Sequence, residues 1–314
     1  MFTFTDEVTT QKLSNTTEYS NHNQQQTLHR EKSNKGCLRW FIFTGIALVL
    51  FAGILVIGYL VVPIPSANIL VVGIDSRGNE GTAARTDSIM VVNVNSNSAR
   101  ISLLSIPRSL WVNVPNYGSQ MINTAHFLGE YREDNNGLPL LKQTIEDNFG
   151  IRIDHYVRMD FAGFVNMINA VGGIHVDVPY VLEDFEYPTA DYGTIYIRFE
   201  EGPQWLDGEN ALIYARTRHS DDDYRRAERQ QQVLVGFVKS ALNPTTWGAL
   251  LDVLNQSVET DLSITELVTI APAVGLSGGQ LNQLVIDREY ILPGSKGPIP
   301  NYEALEPFIT ENFQ

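Results

Sequence analysis

Residues 68–106 read NILVVGIDSRGNEGTAARTDSIMVVNVNSNSARISLLSI, and the three apolar runs inside this stretch decide the fold. Runs 68–74 (NILVVGI), 89–94 (IMVVNV) and 101–106 (ISLLSI) are rich in β-branched residues, show little polar alternation and are bounded by Gly, Asn and Pro. Such runs predict strands buried on both faces. Weaker strand candidates follow at 153–159 (IDHYVRM), 174–178 (IHVDV) and 284–286 (LVI). Between them the apolar spacing changes to three and four residues. Leu140, Leu141, Ile145 and Phe149 mark one helix, and Phe161, Phe164, Val165 and Ile168 mark a second that stops at Gly172-Gly173. Further helices are expected near 208–214, at 224–242 ahead of Asn243-Pro244, and twice within 245–275. Strands alternating with helices predict an α/β domain whose central sheet is covered by helices. No repeat is present, and nothing divides 66–314 into two domains.

Upstream of this domain, residues 40–62 read WFIFTGIALVLFAGILVIGYLVV, a 23-residue run without a charge. At about 1.5 Å per residue, a helix of that length matches a hydrocarbon core of about 30 Å. A cleaved signal peptide is the alternative, but its apolar region is about 7 to 15 residues long. The expectation is therefore an uncleaved transmembrane helix. Arg30, Lys32, Lys35 and Arg39 precede it, and no Lys or Arg follows until Arg77, so the N-terminus is expected in the cytoplasm and the rest outside. Residues 1–39, with the run NHNQQQ at 21–26, read as a disordered tail. Val62-Pro63-Ile64-Pro65-Ser66 is a stiff exit from the membrane.

The full chain of 314 residues carries 22 Lys+Arg against 36 Asp+Glu, a formal charge of −14. That argues against nucleic acid as a partner. Hydrophobic residues make up 43% of the chain, enough to build a core and to exclude wholesale disorder. The single cysteine, Cys37, excludes an internal disulfide and a cysteine-based zinc site, so any metal sits on oxygen or imidazole. An exported domain without cysteine fits the expected placement.

Within this acidic domain the cations are not scattered. Arg216, Arg218, Arg225, Arg226 and Arg229 fall within fourteen positions, and the exported part holds fourteen Arg but three Lys. Guanidinium matches phosphate oxygens bidentately. Arg216 and Arg218 share a side if the backbone is extended there, and Arg226 and Arg229 share a helix face, so a diphosphate could lie between the pairs. Alternatively, these arginines neutralise the interleaved Asp221, Asp222, Asp223 and Glu228. A second constellation is Asp75-Ser76-Arg77 and Arg85-Thr86-Asp87, where two carboxylates end strands that flank one loop. Such a pair suits Mg²⁺ completed by water and substrate phosphate, or else caps turns and pairs with Arg77 and Arg85. The G-x-S-x-G match at 275–279 follows a helical segment where a nucleophile elbow needs a strand. His126, His155, His175 and His219 lack metal-ligand spacing, with His219 beside the arginine cluster.

Segments ILVVGIDSRG (69–78), RTDSIMVVNVN (85–95), ISLLSIPRSLWVNVP (101–115), DHYVRMDFAGFVNMINAVGGIHVDVP (154–179), LDGENALIYARTRH (206–219) and YRRAERQQQVL (224–234) together resemble the LytR-CpsA-Psr family of cell-envelope phosphotransferases. The resemblance covers nearly all of 66–243 and is loose over 244–314. It implies a three-layer α/β/α domain with a central mixed sheet, spanning 66–314 after one transmembrane helix. It further implies an Mg²⁺-dependent enzyme that moves a glycopolymer phosphate from a polyprenyl-pyrophosphate carrier to a hydroxyl of peptidoglycan or another wall acceptor. Transferred by motif, Asp75 and Asp87 are the metal ligands, and Arg108, Arg216, Arg218 and Arg226 bind pyrophosphate, with Arg85 and Arg229 in the same motifs. Arg108, Asp87 and Arg218 are the expected catalytic residues. The family segment usually reads S-I-P-R-D, whereas Ser109 follows Arg108 here, and Arg225 stands where glycine is usual. The departure at Ser109 keeps a non-catalytic receptor for prenyl phosphates or wall polymer in view; a lipid pyrophosphatase is a further alternative. A regulator of transcription does not fit an acidic domain outside the membrane.

Overall fold

The computed structural model describes residues 66–74, 86–95, 98, 100–132, 136–189, 193–218, 222–263, 265–267, 270 and 281–314, together with Leu50 and Phe51. Residues from Ile64 onward belong to one compact unit. The expected tail, nearly all of the expected span at 40–62, the G-x-S-x-G segment, His219, Asp75 and Arg85 lie outside the described residues. Among those described, no helix is long and apolar enough to cross a membrane.

In chain order the elements begin with strands β1 (Ala67–Ile74), β2 (Thr86–Asn95) and β3 (Arg100–Ser105) and a hairpin of β4 (Trp111–Val114) and β5 (Gly118–Met121). Helices α1 (Asn123–Arg132) and α2 (Gly137–Phe149) lead to β6 (His155–Met159), α3 (Phe161–Ala170) and β7 (Ile174–Val178). Next come the hairpin β8 (Leu182–Pro188) and β9 (Thr194–Phe199), then β10 (Gly202–Leu206), α4 (Gly208–Arg216) and α5 (Asp223–Ala241). The chain closes with α6 (Trp247–Ser257), β11 (Val258–Thr260), β12 (Leu281–Val285), the hairpin β13 (Ile291–Pro293) and β14 (Pro298–Pro300), and α7 (Tyr302–Phe313).

Six strands form the central sheet in the order β11-β6-β1-β2-β3-β12. It is mixed: β1 runs parallel to β6 and β3 to β12, whereas β2 is antiparallel to both its neighbours and β11 to β6. The three apolar runs of 68–106 are its centre, and both faces of these strands are covered. Leu70, Val72, Val91 and Leu104 point to one side, where Leu141 and Ile145 of α2 and Leu305, Ile309 and Phe313 of α7 meet them. Met90, Ile101 and Leu103 point to the other, against Leu234, Val235 and Val238 of α5. Burial on two faces leaves no polar register, which is why these strands read as continuous apolar runs.

Run 174–178 does form a strand, β7, but it pairs with β10 and not with the central sheet. It belongs to a second apolar cluster in which Ile174, Val176 and Val178 meet Ile168 of α3, Phe199 of β9, Tyr214 of α4 and Val233 of α5. Helix α3 starts on Asp160, whose side chain accepts from Gly163 N at 2.8 Å, and ends where Gly172 and Gly173 take φ of 80° and 88°. Only glycine adopts those angles without strain. Of the two helices expected in 245–275, α6 is one, while the second coincides with helical residues 265–267 and otherwise lies outside the described residues.

Candidate functional site

Strands β1 and β2 pair regularly from Ala67↔Val94 to Gly73↔Ser88, and then the register slips so that Ile74 faces Thr86. Asp87 is the extra residue. A bulge of this kind turns one side chain out of the pleat, and here it exposes a carboxylate at the end of an otherwise apolar strand. By sequence Asp75 is the next residue after Ile74, but it lies outside the described residues.

The chain leaves β3 at the same end of the sheet, because Ser105 pairs with Met90 of β2. Pro107–Leu110 is a tight turn closed by Leu110 N donating to Pro107 O at 3.1 Å, with Arg108 and Ser109 at its centre. The Arg108 carbonyl accepts from Asn123 N at 3.4 Å, and Leu110 O accepts from Ile122 N at 2.8 Å, so α1 and β5 brace the turn. Arg108 Nη1 donates to Asp87 Oδ1 at 2.5 Å, with both side chains about one-quarter to one-third exposed (25% and 30%). The bulge and the turn thus present one ion pair at a solvent-facing rim.

Helix α5 supplies the rest. Its cap, Asp222, accepts from Tyr224 N and Arg225 N at 3.2 and 3.0 Å. Gln231 donates to Ser105 Oγ at 2.9 Å and Leu284 O at 3.0 Å, and Ser88 Oγ donates to Gln230 Oε1 at 3.0 Å, fixing the first half of α5 over the ends of β2, β3 and β12. Asp223 Oδ1 then lies 3.1 Å from Arg218 Nη2 and 3.4 Å from Arg226 Nη2. Arg226 is 7% exposed, and its Nε meets no hydrogen-bond acceptor among the described residues. Burial pushes its pKa down to about 10; repulsion from Arg108 and Arg218 adds to this, while Asp223 and Asp87 oppose it. Three guanidiniums, of Arg108, Arg218 and Arg226, therefore share one field with two carboxylates, an arrangement that favours an added anion.

The other two expected arginines have different neighbours. Arg216 is the last residue of α4, so the extended backbone that would place it beside Arg218 starts only at Thr217, whose ψ is 140°. Its guanidinium stacks over the Phe161 ring at 4.0 Å and donates to Tyr187 Oη at 3.1 Å. Arg229 is 3% exposed and donates through Nε to Tyr214 O at 2.9 Å and through Nη2 to Thr217 O at 2.5 Å. It clamps the end of α4 from inside. Arg225, which the cluster also contains, pairs with Glu228 at 2.9 Å on the exposed side of α5.

Sequence reasoning treated Asp223 as one of several neutralising acids, yet it is the carboxylate that holds two of the site's arginines. Its place as the first residue of α5, three before Arg226, was the available signal. No group of three or more metal-ligating His, Cys, Asp or Glu side chains occurs among the described residues. The donor chemistry of Asp87 itself suits a hard cation, because a partly exposed carboxylate on a bulge offers oxygen.

The family model described as LytR_cpsA_psr matches residues 63–292. A relative from Oceanobacillus iheyensis, named polyisoprenyl-teichoic acid–peptidoglycan teichoic acid transferase TagU, is 34% identical over 210 residues. That match covers 65% of this chain and spans 62% of the relative's length. The crystal structure of Bacillus subtilis TagV superimposes with a TM-score of 0.66 at 29% identity, covering 80% of this chain and 98% of that one. A structure described as TagT bound to LIIa-WTA gives 0.62 at 25% identity, covering 78% and 89%.

Proposed function

The chain belongs to the LytR_cpsA_psr family, and from that premise we propose that it is a glycopolymer phosphotransferase of the cell envelope. In this reading the donor is a polymer linked through pyrophosphate to a polyprenyl carrier, and the acceptor is a hydroxyl of peptidoglycan or another wall glycan. The activity for which the TagU relative is named supports the substrate class. The observation that carries the proposal is the field around Arg226: a buried guanidinium with a lowered pKa and a hydrogen-bond donor to spare, beside Arg108 and Arg218. Three cations gathered at one end of the sheet in a protein of net charge −14 support a polyanion as the ligand.

The chemistry is displacement at phosphorus. The acceptor hydroxyl oxygen attacks the sugar-linked phosphorus and gives up its proton to solvent, the bridging P–O bond breaks, and polyprenyl phosphate leaves with the bonding electron pair. Protein catalysis of such a step consists mainly of positioning and charge neutralisation. Arg226 and Arg218, oriented by Asp223, would take the non-bridging oxygens of the pyrophosphate, and Arg108 would follow the charge that grows on the leaving phosphate. Arg216 and Arg229 would act at one remove, Arg229 by holding the Tyr214 and Thr217 carbonyls. Asp75 and Asp87 would hold Mg²⁺, which supplies charge neutralisation on the pyrophosphate when bound.

The test is release of polyprenyl monophosphate from a synthetic polyprenyl-pyrophosphate sugar by the full-length protein in detergent, with Mg²⁺ and a peptidoglycan acceptor. Asp87→Ala should abolish metal-dependent release, and Arg218→Ala should lower kcat/KM by an amount equivalent to roughly 1.5 to 3 kcal/mol, the loss of one hydrogen bond to a charged group. Product on the sugar acceptor distinguishes transfer from hydrolysis by a pyrophosphatase. Ser109 favours a second reading, a receptor that binds without turnover; tight binding with no release would establish it, and Ser109→Asp would then be the variant expected to gain activity.

A further inference from the structure

We infer that the buried hydrogen bond between Thr217 and Asp184 is a positioning device for segment 216–218, whose Arg218 faces the pyrophosphate site, an inference that rests on the function proposed above. Thr217 stands between Arg216 and Arg218 and is 1% exposed. Each of its polar groups is engaged: N donates to Ile213 O at 3.0 Å, the carbonyl accepts from Arg229 Nη2 at 2.5 Å, and Oγ1 donates to Asp184 Oδ2 at 3.1 Å. A residue held on three sides cannot rotate its flanking peptides, so the directions in which Arg216 and Arg218 leave the backbone are fixed.

Asp184 itself is 1% exposed, on the inward face of β8. A buried carboxylate is costly unless its oxygens are bonded, and this one is built in. Its Oδ1 accepts from Glu186 N at 3.0 Å, inside the irregularity where β8 slips against β9 between Asp184 and Tyr187. That slip also brings Tyr187 inward, where its hydroxyl accepts from Arg216 at 3.1 Å. One strand irregularity therefore sets two contacts to the arginine segment: Asp184 anchors Thr217, and Tyr187 anchors Arg216. Neither needs to touch substrate. Arg218 alone of the segment is left to face Asp223 and the site, at 3.1 Å.

The test measures inorganic pyrophosphate binding by calorimetry, with Mg²⁺ and the detergent-solubilised full chain, alongside turnover and the thermal midpoint. Thr217→Val removes the hydroxyl, and misdirecting one charged donor should weaken pyrophosphate binding about tenfold. It should raise the donor KM while the acceptor KM and the thermal midpoint stay near wild type, a split that general loosening of the fold would not produce. Thr217→Ser keeps the hydroxyl and should bind within about twofold of wild type. If Thr217→Val does not fold because Asp184 Oδ2 loses the Thr217 donor, the double variant with Asp184→Asn removes that charge and should show the same tenfold loss. Wild-type affinity in either variant, while Arg218→Ala binds weakly, overturns the positioning role and leaves the proposed function standing. A wild-type protein that binds no pyrophosphate overturns the proposed function, and this inference with it.

Discussion

Arg226 shows what the site costs. Its pKa is pushed down to about 10 by burial and by Arg108 and Arg218, so the folded chain without an anion holds a cation in a place that disfavours it. A depressed cation pKa means the unfolded chain binds the proton more tightly; the penalty is therefore complete below about pH 10 and is relieved only as pH rises beyond it. Arg226→Met should raise the thermal midpoint, with a gain on the order of 1 to 3 kcal/mol, and should abolish pyrophosphate binding. A variant no more stable than wild type would remove the argument that the field around Arg226 is frustrated. At this scale the sequence was informative about residue type. Arg108, Asp87, Arg218 and Arg226 were all singled out, and the structure brings these four together. Neighbouring arginines of the cluster diverge: Arg225 neutralises Glu228 on the surface, whereas Arg226, one position on, is buried. The directions of Arg216 and Arg229 were not legible, because they depend on where α4 stops and which carbonyls it leaves over.

At the scale of elements, the central strands were readable because burial on both faces imposes one composition on a whole run. The bulge at Asp87 was not. It is a property of how β1 pairs with β2, and no residue type encodes it. Helix α7 was also missed, since its interior Pro307 argues against a helix by propensity. Polar contacts with the sheet hold it. Asn312 Oδ1 accepts from Ser102 Oγ at 2.8 Å and Asn282 Nδ2 at 2.7 Å, its Nδ2 donates to Phe308 O at 2.8 Å, and Asn68 Nδ2 donates to Phe313 O at 3.0 Å. Asn312→Ala strands buried polar groups on β3 and β12 and should cost about 2 to 3 kcal/mol. Denaturant titration checks it: the midpoint should fall with an unchanged slope, and an unmoved midpoint would mean water serves those groups equally well.

For the whole molecule, charge and chain order predict a domain tethered through its N-terminal side. The 23 uncharged residues at 40–62 and the basic residues before them predict a cytoplasmic N-terminus, and the single cysteine, Cys37, offers a test of that expectation. In intact cells a membrane-permeant maleimide should label Cys37, and an impermeant one should label it only after lysis. Labelling of intact cells by the impermeant reagent would reverse the orientation and with it the access of the site to wall acceptors. Sequence alone determined the α/β class and the three central strands of 68–106, because burial and periodicity are written residue by residue. Only the tertiary structure decided which arginines share a field, that Asp223 orients two of them, and that Asp184 anchors the segment between. Those facts depend on register shifts in β2 and β8 and on where α5 crosses the sheet, and a register is a relation between distant segments that neither segment specifies by itself.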